Sequence, residues 1–145
     1  MAAAAAPLPE TYVEGWHDLD AVRRTSYRPF GDRTVSSLAF GASALAGVFR
    51  GVDPDECVKV VQLALRSGVN VIDTAPWYGH GVSETVLGRA LAGVPRRAYY
   101  LHTKVGRYNP GPLETFDFSY ERTVASVDES LARLGLEYLD TVQGE

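Results

Sequence analysis

Cysteine is almost missing from this chain: Cys57 is the single one in 145 residues. That excludes an internal disulfide framework and a cysteine-rich zinc site, and no metal site is expected. Lysine is nearly as scarce. Only Lys59 and Lys104 stand among fourteen basic residues, so the other twelve are arginine. Excess positive charge is absent too. Eighteen acids against fourteen bases leave a net charge of −4, which gives no basic footprint for nucleic acid. No apolar run approaches the roughly 20 residues of a membrane-spanning helix. The Ala/Pro-rich start, Met1 to Pro9, lacks the basic opening and apolar stretch of a secretory signal. Acids come too early for a transit peptide, at Glu10, Glu14, Asp18 and Asp20. The expectation is a frayed tail on a cytosolic protein with neither membrane nor nucleic-acid partners.

What is present fits a globular domain: 46% apolar, 10% aromatic and 22% charged residues. A chain of this size buries roughly two-thirds of its unfolded surface, and its length alone fits one complete small domain.

Tyr27–Phe30 and Thr34–Ser36 flank Gly31-Asp32-Arg33, which predicts a hairpin. Ser37 to Gly41 reads as a first strand. Asp53-Pro54-Asp55-Glu56 opens a helix, with a capping acid, proline at the first helical position and acids suited to the dipole. Val58, Val61, Ala64 and Leu65 recur at helical spacing, and Gly68 ends that helix. Val69–Asp73 reads as a second strand. A loop from Thr74 to Gly81 leads to a helix that starts at Ser83-Glu84. Val86, Leu87, Ala90 and Leu91 line one of its sides, and Gly93 stops it. Tyr99–Val105 is the third strand. A long loop, Gly106 to Phe116, contains Pro110-Gly111-Pro112. Asp117 or Ser119 caps the next helix, whose apolar face is Val124, Val127, Leu131 and Leu134. Tyr138–Gln143 is the fourth strand. Strands that alternate with helices pair in parallel through right-handed crossovers. An open doubly wound sheet and part of a (β/α)8 barrel both fit. No G-x-G-x-x-G follows the first strand, which weighs against the dinucleotide-binding fold.

Parallel topology brings neighbouring strand ends to one rim, where α/β folds place their sites. Asp73 ends the second strand, Tyr78 lies five residues on, and Lys104 is near the end of the third. A tyrosine is too weak an acid at neutral pH to give up its proton readily. A lysine cation beside it stabilises the phenolate, and an aspartate keeps that lysine charged and oriented. Such a trio is a proton donor to a carbonyl oxygen, the general-acid half of a carbonyl reduction. No side chain supplies a hydride, so this chemistry implies a nicotinamide cofactor, NADPH or NADH.

The segment from Gly68 to Leu91 resembles the signature of the aldo-keto reductase family. Thr103-Lys104-Val105-Gly106-Arg107-Tyr108 resembles the family's lysine strand, and Phe116 to Asp140 the helix and strand that follow. The resemblance runs from about Tyr27 to Gln143. Within the family it is nearest the L-galactose dehydrogenase-like and D-arabinose dehydrogenase-like branch. It implies a (β/α)8 TIM barrel with an N-terminal hairpin across its base. Of that fold these residues supply the hairpin, strands 1–4 and helices 1–3. Residues 1–26 are then an N-terminal arm, partly disordered, and residues 27–145 the N-terminal half of the barrel domain.

The resemblance further implies NAD(P)H-linked interconversion of carbonyls and alcohols or sugar lactols. It assigns Asp73, Tyr78 and Lys104 to three places of a catalytic Asp-Tyr-Lys-His tetrad. It puts Gly41, Ala42 and Ser43, together with Asp73, near the cofactor. Gly144 and Glu145 stand where the branch continues with Val-His, so the tetrad histidine is missing. So is the later half of the barrel, which grips the cofactor's phosphate and adenine. Little or no turnover is therefore expected of the 145 residues alone. The alternative is a truncated isoform or incomplete gene product that acts, if at all, by self- or partner-association through exposed half-barrel edges. Trp77 reads as a pocket residue or a loop-packing one. His80 and His102 read as packed or solvent-linked histidines, and Cys57 as a buried helix residue.

Overall fold

A computed structural model of the chain describes residues 7–48, 50–108 and 115–145. The frayed-tail expectation falls mostly on residues 1–6, which lie outside the described residues. From Pro7 onward the arm is folded. Asp18 caps a short helix α1 (Leu19–Arg24), accepting from the Ala21 N–H, and Val22 is buried. One residue ties the arm to the rest. Asn70, 1% exposed, donates from Nδ2 to Thr11 Oγ1 in the arm and to the Thr34 carbonyl. Its Oδ1 accepts the Ser36 N–H at 2.7 Å. With both N–H donors and the oxygen bonded, this buried amide leaves no polar atom unpaired, so arm, hairpin and sheet meet at one fixed point.

The hairpin is β1 (Tyr27–Phe30) with β2 (Arg33–Ser36), antiparallel, Tyr27 opposite Ser36 and Phe30 opposite Arg33. The turn is two residues, shorter than expected, because Arg33 already belongs to the strand. The first strand of the main sheet is also shorter than expected: β3 holds only Phe40–Gly41. Ser36 Oγ donates to the Leu38 carbonyl and the Ser37 N–H to Ser26, which holds the preceding residues in a bend. Asp53 caps α2 (Pro54–Arg66), and Val61 and Leu65 are fully buried. Next come β4 (Val71–Asp73), α3 (Val82–Leu91), β5 (Tyr100–Val105), α4 (Tyr120–Leu134) and β6 (Thr141–Gly144).

The sheet order is β3-β4-β5-β6, all parallel, with each helix crossing between neighbours. This is part of a (β/α)8 barrel, as the resemblance implies; among the described residues the sheet does not close. The alternation within strands separates two faces. Ile72, Leu101 and Thr103 are fully buried beneath the helices, with Val86, Leu87, Ala90 and Leu134. Asp73, His102, Lys104 and Gln143 share the opposite face by register.

Of the two expected caps, Ser119 is the one that caps α4, accepting from the Arg122 N–H, and one helix-level expectation changes. The predicted apolar face of α4 is rotated: Val124 is 43% exposed, while Ser126 and Ser130 are completely buried. Leu134, from the predicted face, is buried, and small serines on the same side let α4 approach its neighbours closely. The same closeness explains Gly88 in the middle of α3. A Cβ there would run into the backbone carbonyls of Arg133 and Leu134. Gly88→Ala is therefore expected to destabilise by about 1–3 kcal/mol, against the usual gain of helix propensity. A thermal melt equal to or above that of the parent would contradict this packing. The predicted fourth strand starts late, at Thr141. The Asp140 carboxylate accepts the Leu101 N–H at 2.8 Å and pairs with Arg96, so a side chain does the pairing there. The Pro110–Pro112 part of the long loop lies outside the described residues.

Candidate active site

The ends of β4 and β5 bring the three predicted residues together. Lys104 Nζ donates to Asp73 Oδ2 at 2.8 Å, to the Thr74 carbonyl at 3.0 Å and to Tyr78 Oη at 3.0 Å. An ammonium has three N–H donors, and here all three are matched. The lysine side chain is 14% exposed and that of Asp73 33%. Burial alone would lower the lysine's pKa. The hydrogen bonds with Asp73 and Tyr78 and the charge of Asp73 outweigh it, and hold the pKa above its ordinary value. Lys104 is thus a fixed cation at neutral pH.

Tyr78 comes from a tightly folded loop. Its N–H donates to the Ala75 carbonyl, Gly81 N–H to Pro76, and Ser83 N–H to the Tyr78 carbonyl. Gly79, His80 and Gly81 all take left-handed backbone angles, at φ 65, 51 and 91. At Gly79 a Cβ would strike Ala46, so the loop lies directly on the short 3-10 turn of residues Ala42–Ala46. His80 is exposed and meets Trp77 edge-on at 5.0 Å.

Of the four residues placed near a cofactor, Asp73 is in the cluster above, and Gly41 pairs with it in the sheet and is exposed. Ser43 borders the same cavity as Tyr78. Ala42 differs: its side chain is in the core and its carbonyl accepts from Ser83 Oγ at 2.8 Å. Ala42 therefore stabilises the rim instead of facing the opening.

Three further residues belong to the site. Gln143, opposite Lys104 in the register, places Nε2 3.4 Å from Asp73 Oδ1. Arg107 and Glu145 border, with Ser43, Val48, Trp77 and Tyr78, a cavity of about 310 Å³. Glu145 extends the ladder past β6, its N–H donating to the Val105 carbonyl. Gln143 was readable from the parallel register; Arg107 carries no spacing signal.

His102 pairs with Asp73 in the register. Burial lowers its pKa and outweighs the opposing pull of Asp73 and Asp140. The folded imidazole therefore titrates below the ordinary 6.5. Between those two values the unfolded chain binds the proton more readily, so this residue's contribution to stability is lost as pH falls below about 6.5. A nuclear magnetic resonance titration of His102 with a midpoint at or above 6.5 would overturn this.

A parallel α/β sheet with a lysine, aspartate and tyrosine clustered at its strand ends defines an architecture found in known proteins. The sequence pattern of the Aldo/keto reductase family matches residues 37–144, and the chain belongs to that family. It is 49% identical over 108 residues to the L-galactose dehydrogenase of Arabidopsis thaliana, covering 73% of this chain and 33% of that protein. It is 36% identical over 121 residues to the D-arabinose 1-dehydrogenase of Saccharomyces cerevisiae, covering 79% of this chain and 34% of that one. A crystal structure of an aldo-keto reductase from Pseudomonas aeruginosa superposes with a TM-score of 0.72 at 35% identity, over 83% of this chain and 49% of that chain. An aldo-keto reductase from Klebsiella pneumoniae in complex with NADPH superposes with a TM-score of 0.66 at 25% identity, over 81% and 38%. The chain thus spans about a third of the length of the curated relatives it matches.

Among the described residues no helix is long and apolar enough to cross a membrane, and no group of three or more metal-ligating side chains occurs.

Proposed function

We propose that this chain carries the proton-handling centre of an NAD(P)H-dependent oxidoreductase that interconverts a carbonyl or sugar lactol with its alcohol or lactone. The observation that carries the reading is Lys104 Nζ, joined at once to Asp73 Oδ2 at 2.8 Å and to Tyr78 Oη at 3.0 Å. Because the ammonium donates to Tyr78 Oη, the phenol's own proton is free for a substrate oxygen. When that proton leaves, Lys104 stands beside the charge that remains, and Asp73 keeps the lysine in place. In the oxidative direction the same oxygen receives the proton from the substrate hydroxyl.

The surroundings fit a nicotinamide. The cavity beside Tyr78 has apolar walls from Val48 and Trp77, and a Cβ on Gly41 would meet only open space. Gly41 and Ser43, with Asp73 at the strand end, are the residues assigned to hold it. When bound, this group supplies the hydride. The similarity to the sugar dehydrogenases supports a lactol substrate such as L-galactose.

The test is absorbance at 340 nm with L-galactose and NAD, and with aldehydes and NADPH or NADH. These residues alone are expected to turn over little or not at all, and whatever turnover the parent shows is expected to be lost in Tyr78→Phe. Robust turnover that persists in Tyr78→Phe would overturn the reading.

A further inference from the structure

We infer that Arg107 is a specificity-determining residue, which uses its guanidinium fork to bind two neighbouring hydroxyl oxygens of a neutral polyol substrate. The inference rests on the site just proposed and deepens it: it names the substrate class that the cavity beside Tyr78 selects.

Arg107 is held firmly. It follows Gly106, which adopts φ 111 and where a Cβ would overlap the Phe118 ring. Arg107 itself forms an isolated antiparallel bridge with Phe116. The Asp117 N–H donates to the Gly106 carbonyl at 2.8 Å, and the Gly106 N–H donates to Tyr108 Oη at 2.9 Å. The side chain then lies across the Trp77 ring, Cζ 4.2 Å from the centroid. Trp77 is the residue before Tyr78, so the guanidinium is tied to the loop that presents the proton donor. Both open into one cavity of about 310 Å³, at the lower end of the range for small-molecule sites.

Nε is buried and has no hydrogen-bond partner among the described residues, so a ligand can meet only the two Nη groups. Nη1 lies 3.9 Å from Glu145 Oε1, close enough for charge attraction and too far for a hydrogen bond. The planar fork of the two Nη groups matches two oxygens held on one carbon or on neighbouring carbons. A carboxylate and a vicinal diol both offer such a pair. The charges decide between them. Each cation at the site already has an acid beside it, Lys104 with Asp73 and Arg107 with Glu145. An anionic substrate would meet the Glu145 carboxylate on entering. A neutral diol instead finds donors on Arg107 and an acceptor on Glu145, which satisfies both halves of its hydroxyl groups.

The experiment is a binding titration that needs no turnover. L-galactose and its anionic counterpart L-galacturonate are titrated separately, and the Trp77 indole N–H resonance is followed by nuclear magnetic resonance. L-galactose is expected to shift that resonance and to bind at least fivefold more tightly than galacturonate. Arg107→Lys keeps a cation over Trp77 but loses the fork, and is expected to weaken L-galactose binding about tenfold. Arg107→Met should weaken it at least as much. Circular dichroism verifies that both variants stay folded. An unfolded Arg107→Met leaves the Arg107→Lys comparison and the ligand ranking to decide. The inference is overturned if L-galactose leaves Trp77 unmoved at 100-fold the concentration of protein up to about 0.1 M. It is equally overturned if galacturonate binds more tightly, or if Arg107→Lys binds like the parent. Arg107-dependent binding beside cofactor-linked turnover that Tyr78→Phe leaves unchanged would defeat the proposed function and leave this inference standing. Turnover with an L-galactose KM indifferent to Arg107→Lys would do the reverse.

Discussion

Arg133→Met is expected to lower the melting temperature by roughly 10–15 °C, from a loss of about 4–5 kcal/mol. The reason is Glu84, a carboxylate in the first turn of α3 with 0% exposure. Its Oε2 accepts from Arg133 Nε at 2.7 Å and its Oε1 from Thr103 Oγ1 at 2.7 Å. Arg133 also donates to Ser130 Oγ and packs its Cδ against the space that a Gly81 side chain would occupy. The pair thus joins α3, α4 and β5 in the layer behind the site. Its two ends differ in one respect. The Arg133 side chain is 26% exposed and turns toward water when its partner is lost, whereas Glu84 cannot. Removing the arginine strands a fully buried charge; removing the acid does not. Glu84→Gln is accordingly expected to cost less, about 2–3 kcal/mol. Thermal and urea melts of both variants check the order. Equal losses, or the larger loss in Glu84→Gln, would contradict this account.

That pair also marks the limit of what the sequence discloses. Glu84 reads there as a helix-start residue, because an acid in the first turn suits the helix dipole whatever lies beneath it. Its burial is a tertiary fact, set by Thr103 on a strand nineteen residues away and Arg133 forty-nine away. The face that carries the candidate site was far more legible. Asp73 and Lys104 sit at or near strand ends, which follow from local apolar patterning, and Tyr78 lies in the loop that leaves one of them. The face of α4 was misjudged for the opposite reason. Helical spacing favours large apolar residues such as Val124, but close contact with α3 selects small ones, Ser126 and Ser130. The brevity of β3 and the late start of β6 come from side chains, Ser36 and Asp140, that bond to backbone groups and displace the ladder. Such substitutions leave no periodic trace. Arg107 is a case of its own: its partner, Trp77, lies on another loop, and nothing local links the two.

Lys104→Arg is expected to reduce any cofactor-linked turnover by about 100- to 10,000-fold, close to the loss in Tyr78→Phe, while leaving the fold intact. Charge is conserved in this substitution, so a role as a general counter-ion to Asp73 would survive it. Geometry does not survive. The lysine ammonium reaches Asp73 Oδ2, the Thr74 carbonyl and Tyr78 Oη from one nitrogen, in three directions. A guanidinium is flat, and its donors all lie in one plane. It can hold the carboxylate with two of them, but then has none directed at the tyrosine oxygen. Lys104→Met removes the charge as well, and leaves the part-exposed Asp73 carboxylate without its cation, at about 1–2 kcal/mol after solvent screening. The two variants therefore separate stability from chemistry: arginine is expected to melt near the parent temperature, methionine below it, and both to be inactive. The pH dependence has the same origin. With its pKa held above 10.5, Lys104 stays charged through the neutral range, and the stabilisation from its pairing is lost only as pH rises through that raised value. Full activity in Lys104→Arg would mean that Tyr78 needs only a nearby positive charge, and the three-way hydrogen bonding would have no catalytic part.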